Sequence, residues 1–275
     1  RSGLTAAALP IEAVGCLRLC GRAPLLAADG PAGPQLWGGL PPQLAPQLAD
    51  ALLAAAADPE HGAALDHGAA LENGAALDHG AEISCLEPHR LDPNHPFFAL
   101  QRPVVLERCG LIDPESLEAA LGQESYGQLR RCLGELSPGA VRAEVRRSGL
   151  RGRGGAGYPT GLKWDTVALQ PPGPRWVVAN GDEGDPGAFM DRTVMEGDPH
   201  RLLEGLAIAA WAVGAEQGFI YVRAEYPLAI ARLRLALDQI EALGGFGPGL
   251  CACPWPLRIS LRVGAGAYEI GRAHV

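Results

Sequence analysis

The sequence predicts an α/β fold organised on a parallel sheet, and three observations carry that expectation. Between residues 176 and 263, short β-branched runs alternate with longer helical ones, the order produced when right-handed crossovers join parallel strands. The second helical run places Ile230, Leu233, Leu237 and Ile240 at 3-4-3 spacing, one apolar face of a helix. Each strand run ends in an unusual loop: "NGDEGDPG", "AEYP" and "GAGAY". Parallel strands deliver such loops to one edge of the sheet, where open α/β folds bind ligands.

Taken in chain order, the first part ends in an Ala/Leu-rich run, Leu44–Ala57, that reads as a helix. Residues 61–80 repeat a hexapeptide, "HGAALD", "HGAALE", "NGAALD", then "HG". Six residues match neither the helical nor the strand period, and glycine recurs in every unit. The segment reads as a flexible linker, with a marginal helix as the alternative. His61, His67 and His79 lack the Cys or His-x₃-His spacing of zinc sites and read as solvated linker residues. Further on, "RPVVLERC" predicts a short strand. "DPESLEAAL" predicts a helix with Asp113 as N-cap and Pro114 in its first turn. "SPGAVRAEVRRSG" repeats that logic, with Ser137 as cap and Gly149 just past the end. Strands are expected at Trp176–Ala179, Phe219–Arg223 and Leu257–Val263, and helices at Pro199–Ala215 and Pro227–Leu243.

A hydrophobic content of 47% and a net charge of −8 describe a soluble, acidic, globular chain. Acidity argues against nucleic acid as the main partner, because a phosphate backbone demands clustered cations. The longest apolar run, Leu206–Ala215, is half of the roughly 20 residues that cross a bilayer. With no signal peptide at its start, the chain is expected to be cytoplasmic, without direct membrane insertion. It opens on Arg1 rather than Met, so an upstream part is expected. It closes on "EIGRAHV", which a common sequencing adapter also encodes, so residues from Glu269 or Ile270 onward read as artefact.

Gly149–Trp164, "GLRGRGGAGYPTGLKW", has five glycines within nine residues, and Lys163 is the one lysine against 22 arginines. Gly152, Gly154 and Gly157 satisfy G-x-G-x-x-G, but the dinucleotide fingerprint needs a strand before it and a helix after it. Here a helix precedes, and Pro159 with Gly161 is expected to interrupt the segment beyond the loop. An ordinary dinucleotide fold is therefore disfavoured. Glycines still let backbone N–H groups approach a phosphate, and Arg151, Arg153 and Lys163 add positive charge. The plain alternative is a surface turn. Lysine's compact ammonium is not interchangeable with arginine's planar fork, so a chain that keeps one lysine here points to a specific contact. Residues 180–198 add Asp182, Glu183, Asp185, Asp191, Glu196 and Asp198, either a solvated surface or a cation site. The alternating oxygen pattern of a calcium loop is absent. Carboxylates also suit ribose hydroxyls and the N–H edges of flavin or nicotinamide rings.

Four strings, "SGLRGRGGAGYPTGLKW", "VVANGDEGDPGAFMDRTVMEGDPHRLLEG", "GFIYVRAEYP" and "RVGAGAY", resemble the FMN- and NADH-binding subunit of respiratory complex I. The same module occurs in NAD-linked hydrogenases and formate dehydrogenases. The resemblance spans about Gln101 to Tyr268. It implies a Rossmann-like FMN-binding domain of unusual topology, with flanking helices around a parallel sheet. It also implies NADH dehydrogenase chemistry, in which a hydride passes from nicotinamide to flavin and electrons leave singly for iron–sulfur centres. No side-chain acid or base is required, so no catalytic residue is assigned. By the same resemblance Gly152, Arg153, Gly154 and Lys163 would hold the FMN phosphate and ribityl chain. Asn180, Asp182 and Glu183 would bind the flavin side, and Tyr268 would line its pocket. Gly155, Ala156 and Tyr158 would contact NADH. Asp185 stands where many complex I members have Glu, a change that bears on nicotinamide contacts. Gly181 stands where they usually have Ala, a change expected to be harmless.

"VGCLRLCGRAP" places Cys16 and Cys20 at C-x₃-C and resembles the second half of a thioredoxin-like [2Fe–2S] domain. Such a centre takes four thiolates, so two of the four ligands are in the chain. The family's [4Fe–4S] ligands would lie beyond it. Cys251 and Cys253 form a C-x-C pair without further ligands, and Cys85, Cys109 and Cys132 read as structural thiols. The expected partition is a thioredoxin-like remnant over 1–57, a linker over 58–95, the FMN/NADH domain over 96–268 and the artefactual tail. The expected partners are NADH and the iron–sulfur subunits of a multisubunit redox complex. A non-catalytic nucleotide-binding or assembly module is the rival reading.

Overall fold

In the computed structural model, the described residues are 25–28, 35–44, 90–92, 95–185 and 187–265. They belong to two units, Arg1–Val104 and Val105–Val275. Several expectations fall outside the described residues: Cys16, Cys20, Cys85, the hexapeptide repeat with its histidines, the helix beyond Leu44, Tyr268 and the tail.

The first unit contains a small antiparallel sheet, β1 (Leu25–Ala28), β2 (Gln35–Gly38) and β3 (Arg90–Leu91), in that order. A single helical turn, α1 (Pro96–Ala99), begins where His95 Nδ1 accepts from the Phe97 N–H at 3.1 Å. Pro96 occupies the first helical position, where no N–H is needed.

The second unit is the predicted α/β layer structure. Its strands are β4 (Trp176–Gly181), β5 (Gln217–Arg223) and β6 (Arg258–Gly264), all parallel, in the order 4-5-6. Its helices are α2 (Leu117–Gly122), α3 (Gly127–Glu135), α4 (Pro138–Ser148), α5 (Thr160–Ala168), α6 (Met190–Gly197), α7 (Pro199–Val213) and α8 (Pro227–Ala242). One sheet face is buried under helices: Gly218, Ile220 and Val222 of β5 meet Leu203, Leu206, Ala210, Ile230 and Leu233 in one core. The opposite face leaves Trp176, Val178 and Tyr221 exposed. Ile230, Leu233 and Ile240 are buried and Leu237 packs against them, so the 3-4-3 stripe of α8 is its core face.

Local chemistry sets the helix ends. α4 begins at Ser137, whose Oγ accepts from the Ala140 N–H, and ends at Gly149 with φ +69°. α7 begins at Asp198, which accepts from the Arg201 N–H at 3.2 Å, and ends at Gly214 with φ +73°. Two expectations are corrected. Residues 104–111 form successive turns rather than a strand, with the Cys109 N–H on Leu106 O and the Leu111 N–H on Arg108 O. No described strand pairs with residues 105–111, and Arg108 is anchored sideways instead. The helix after residue 113 starts three residues late, because Asp113 accepts from the Glu115 N–H in a local turn while Ser116 caps α2.

A buried polar chain fixes this helical layer to α7. Arg108 makes a bidentate pair with Asp198 at 2.8 and 3.1 Å and also donates to Ser125 Oγ. Beside it, Tyr126 Oη lies 2.8 Å from His200 Nδ1, and His200 Nε2 lies 3.1 Å from Gln239 Oε1. The Gln239 amide donates to Glu115 O, so Gln239 Oε1 must accept, and His200 carries its proton on Nε2. Tyr126 then donates to Nδ1. Burial holds the His200 pKa below its usual value, outweighing Gln239 and Asp198, which push the other way.

This depression has a definite sign. The unfolded chain takes up a proton on this residue below about pH 6.5 while the folded chain resists it, so stability is full above that pH and declines as pH falls. We expect the thermal midpoint of the wild type to drop between pH 7.5 and 5.5 by more than that of His200→Gln. Equal drops would show that this imidazole does not carry the dependence.

Candidate functional site

The site is built at the end of the sheet where the strands finish. Arg142 ties α4 to α5 and α7, bonding Asp165 at 2.9 Å and the Ala212 carbonyl at the end of α7. One turn further along both helices, Gly161 of α5 packs on Arg146 of α4, where a Cβ would come within 2.7 Å of backbone atoms. Gly161 is therefore a close-packing residue, and with Pro159 at the N-cap position it opens a helix rather than interrupting one. α5 leads into β4 through residues 169–175, so the glycine turn comes directly before this helix and the acidic turn directly after the strand it feeds.

The glycine turn closes on itself. Arg151 and Pro159 form an isolated antiparallel bridge, and the Gly152 N–H donates to Tyr158 O at 2.9 Å. Arg151 is consumed in this closure, donating to Gly157 O at 2.9 Å. Gly155 and Gly157 have φ of +95° and +60°, a backbone region that side chains disfavour. Above Gly154, Gly155 and Gly157 there is open space. Arg153, Ala156 and Lys163 are exposed, Tyr158 is 51% exposed, and no described residue pairs with the Lys163 ammonium.

The acidic turn comes after β4. Asn180 Oδ1 accepts from the Asp182 N–H at 3.1 Å, a local turn that aims the chain off the strand. Glu183 is only 8% exposed, and its carboxylate accepts from the Asp191 and Arg192 N–H groups, both at 3.1 Å. It thereby caps α6 and meets the positive end of that helix. Glu196 pairs with Arg192 and Asp198 with Arg108. Three of the six carboxylates are thus structural. Asp185 is exposed, and Asp191 has its pKa raised by burial and then by Glu183. Asp182 Oδ1 is buried without a hydrogen-bond donor.

Two residues that the sequence reading did not single out organise this turn. Arg223, the last residue of β5, donates through Nη1 to Glu183 O and through Nη2 to Glu225 at 2.9 Å. Tyr226 offers its hydroxyl to Glu183 O and Oε2 at 3.3 and 3.4 Å, and the Arg192 and Arg223 guanidiniums both lie over its ring, 5.3 and 5.4 Å from the centroid. The signal was the "AEYP" loop, which contains Tyr226 and directly follows Arg223 at the end of β5. A separate apolar groove of about 330 Å³ includes Ala179, Val194, Leu202 and Leu206, and none of the predicted cofactor residues lines it. Among the described residues no group of three or more His, Cys, Asp or Glu is arranged to hold a metal. Cys109 and Cys132 are buried free thiols, as expected, and Cys251 and Cys253 are free and half-buried. Burial raises the Cys132 and Cys251 pKa values. No helix of the described residues is long and apolar enough to cross a membrane.

A parallel-sheet domain with an acidic turn after its first strand and a glycine turn before the helix leading into that strand is the class these features define. The expected family resemblance is borne out, since residues 145–275 match the Nuo51 FMN-binding domain. The chain is 44% identical over 171 residues to the NADP-reducing hydrogenase subunit HndC of Solidesulfovibrio fructosivorans, covering 62% of this chain and 34% of that one. It is 41% identical over 169 residues to an NADH-quinone oxidoreductase subunit of Rhizobium meliloti (strain 1021), covering 62% and 40%. The chain thus spans well under half the length of these relatives. Among solved structures, an NAD⁺-reducing [NiFe]-hydrogenase in the H₂-reduced state is 35% identical, covering 48% of this chain and 22% of that one at a TM-score of 0.44.

Gly181 has a packing role that its sequence context hid. A Cβ there would lie 2.8 Å from Met195 Sδ and 3.0 Å from Tyr221 O. Met195 is itself buried, so it has little room to yield. Gly181→Ala is expected to destabilise the domain by about 1–3 kcal/mol in chemical denaturation. A variant as stable as the wild type would mean that the α6–β4 contact relaxes freely.

Proposed function

We propose that the chain is the NADH-oxidising, FMN-binding module of a multisubunit redox enzyme of hydrogenase, formate dehydrogenase or complex I type. The observation that carries this reading is the pairing of two turns of opposite character around one helix–strand unit, a glycine turn before α5 and an acidic turn after β4. The residues suit FMN. Open space above Gly154, Gly155 and Gly157 and the exposed cations Arg153 and Lys163 fit a phosphate, together with Gly152. Asn180 and Asp182 would face the ring side, with Glu183 holding their turn in shape from behind. Gly155, Ala156, the half-exposed ring of Tyr158 and the exposed Asp185 would meet NADH.

Bound FMN supplies an acceptor for two electrons that can be released one at a time. The protein's own part is to bind and orient. Arg153 and Lys163 neutralise phosphate charge, and the glycine turn brings main-chain N–H groups within reach of it. No side chain need move a proton, so none is assigned as catalytic. The downstream acceptor would be an iron–sulfur centre, with Cys16 and Cys20 supplying two ligands of a [2Fe–2S] group.

Titration of the purified 275-residue chain with FMN should quench flavin fluorescence saturably, with a Kd of about 10 μM or tighter. NADH should then bleach the bound flavin. Lys163→Arg should weaken FMN binding by at least about fivefold, because the wider guanidinium does not replace a compact ammonium. No quenching by the wild type would overturn the FMN reading, and FMN binding without NADH-dependent bleaching would favour a non-catalytic module. Unchanged affinity in Lys163→Arg would remove the special role of that lysine.

A further inference from the structure

Arg223 stands where two of the three strands finish. It is paired in register with Gly264 at the end of β6, and it comes directly after Val222, which faces Gly181 at the end of β4. Its side chain, 18% exposed, makes two contacts and leaves one nitrogen unpaired. One nitrogen donates to the Glu183 main-chain carbonyl, and a second reaches the Glu225 carboxylate. The third, Nε, is buried without an acceptor, as Asp182 Oδ1 is buried without a donor. The contact with Glu225 is a surface pair, since that carboxylate is 50% exposed, and such pairs contribute little. The contact with Glu183 O is different in kind. It ties a strand to a turn 40 residues earlier, and Tyr226 reinforces it at the same carbonyl.

We propose that Arg223 is the positioning residue of the acidic turn: it fixes the main chain that carries Asp182 and Glu183, and its fixed positive charge sets the electrostatics of the ligand held there. This rests on the FMN reading above. A guanidinium can span the Glu183 carbonyl and the Tyr226 ring face at once, which an ammonium cannot. Its charge stands against Glu183 and beside Glu225 and Asp182, and a cation beside a flavin favours the reduced, more negative form. The unpaired Nε and Asp182 Oδ1 each carry the desolvation penalty of an unmade hydrogen bond. A small rearrangement of the turn on ligand binding can relieve both. Arg223 therefore acts on the cofactor through the turn and through its field, not by forming part of a reacting group.

The test uses the full chain, with FMN as the probe, and reads two quantities: FMN affinity by fluorescence and the midpoint potential of the bound flavin. The thermal midpoint of the unliganded protein is measured in parallel as a control for folding. Arg223→Gln should weaken FMN binding at least tenfold and shift the potential downward. Arg223→Lys should restore the potential while leaving affinity several-fold below wild type. Glu225→Gln should stay within twofold in affinity, with the potential unmoved. Equal affinity and potential in Arg223→Gln and wild type overturn the proposal, as does a Glu225→Gln variant impaired as much as Arg223→Gln. Should Arg223→Gln fail to fold, Arg223→Lys decides: restored potential with weakened affinity supports the role, and unchanged affinity overturns it. A wild-type chain that takes up no FMN overturns the FMN reading and this inference with it. That outcome is distinct from a wild type that binds FMN and is indifferent to residue 223.

Discussion

The carboxylate of Glu183 on the first turn of α6 is the contact on which the shape of the strand-terminating edge depends. Strand β4 ends at Gly181, and the chain must leave the sheet, turn and start a helix within a few residues. Two N–H groups at the start of α6 would otherwise be unsatisfied, and Glu183 accepts from both. Its carbonyl is held at the same time by Arg223 and Tyr226, from the next strand and the loop after it. The acidic turn is therefore a braced element, although its sequence reads as a run of repelling charges.

The layer behind that edge is braced by other means. α4 and α5 approach closely because position 161 has no side chain, and Asp165 is shared by Arg142 and Arg146. The Arg108–Asp198 pair and the Tyr126–His200–Gln239 chain attach the preceding segment to α7 and α8. The Arg108–Asp198 and Tyr126–His200 contacts are buried, so losing one partner there leaves another buried group unsatisfied, which costs more than the bond itself contributes. The glycine turn projects from this braced base with its closure contained within residues 150–160.

Much of the fold was legible because its signals are local. The three parallel strands and the helices α4, α7 and α8 can be read from periodicity, from Ser137 and from proline and glycine at the helix ends. The illegible parts depend on distant partners. α5 was hidden because Pro159 and Gly161 look like breakers until α4 is seen pressing on residue 161. α3 starts from Tyr126 at φ 65°, a backbone choice stabilised by tertiary burial of its ring. The expected strand around Val105 forms turns instead, with Val105 O taken up by Arg201 rather than by a described strand. In the site, the two turns could be read directly from composition. That Glu183 faces inward while Asp182 is left unpaired, and that Arg223 and Tyr226 hold them so, depends on a strand 40 residues further along.

The central claim is that the glycine turn and the acidic turn together receive one flavin nucleotide. Amide hydrogen exchange of the full chain, measured with and without FMN, tests it most directly. The account predicts slowed exchange in two separated segments, residues 151–163 and 180–192, with the outer face of β4–β6 unchanged. Slowed exchange confined to one of these segments, or located elsewhere in the chain, would contradict it.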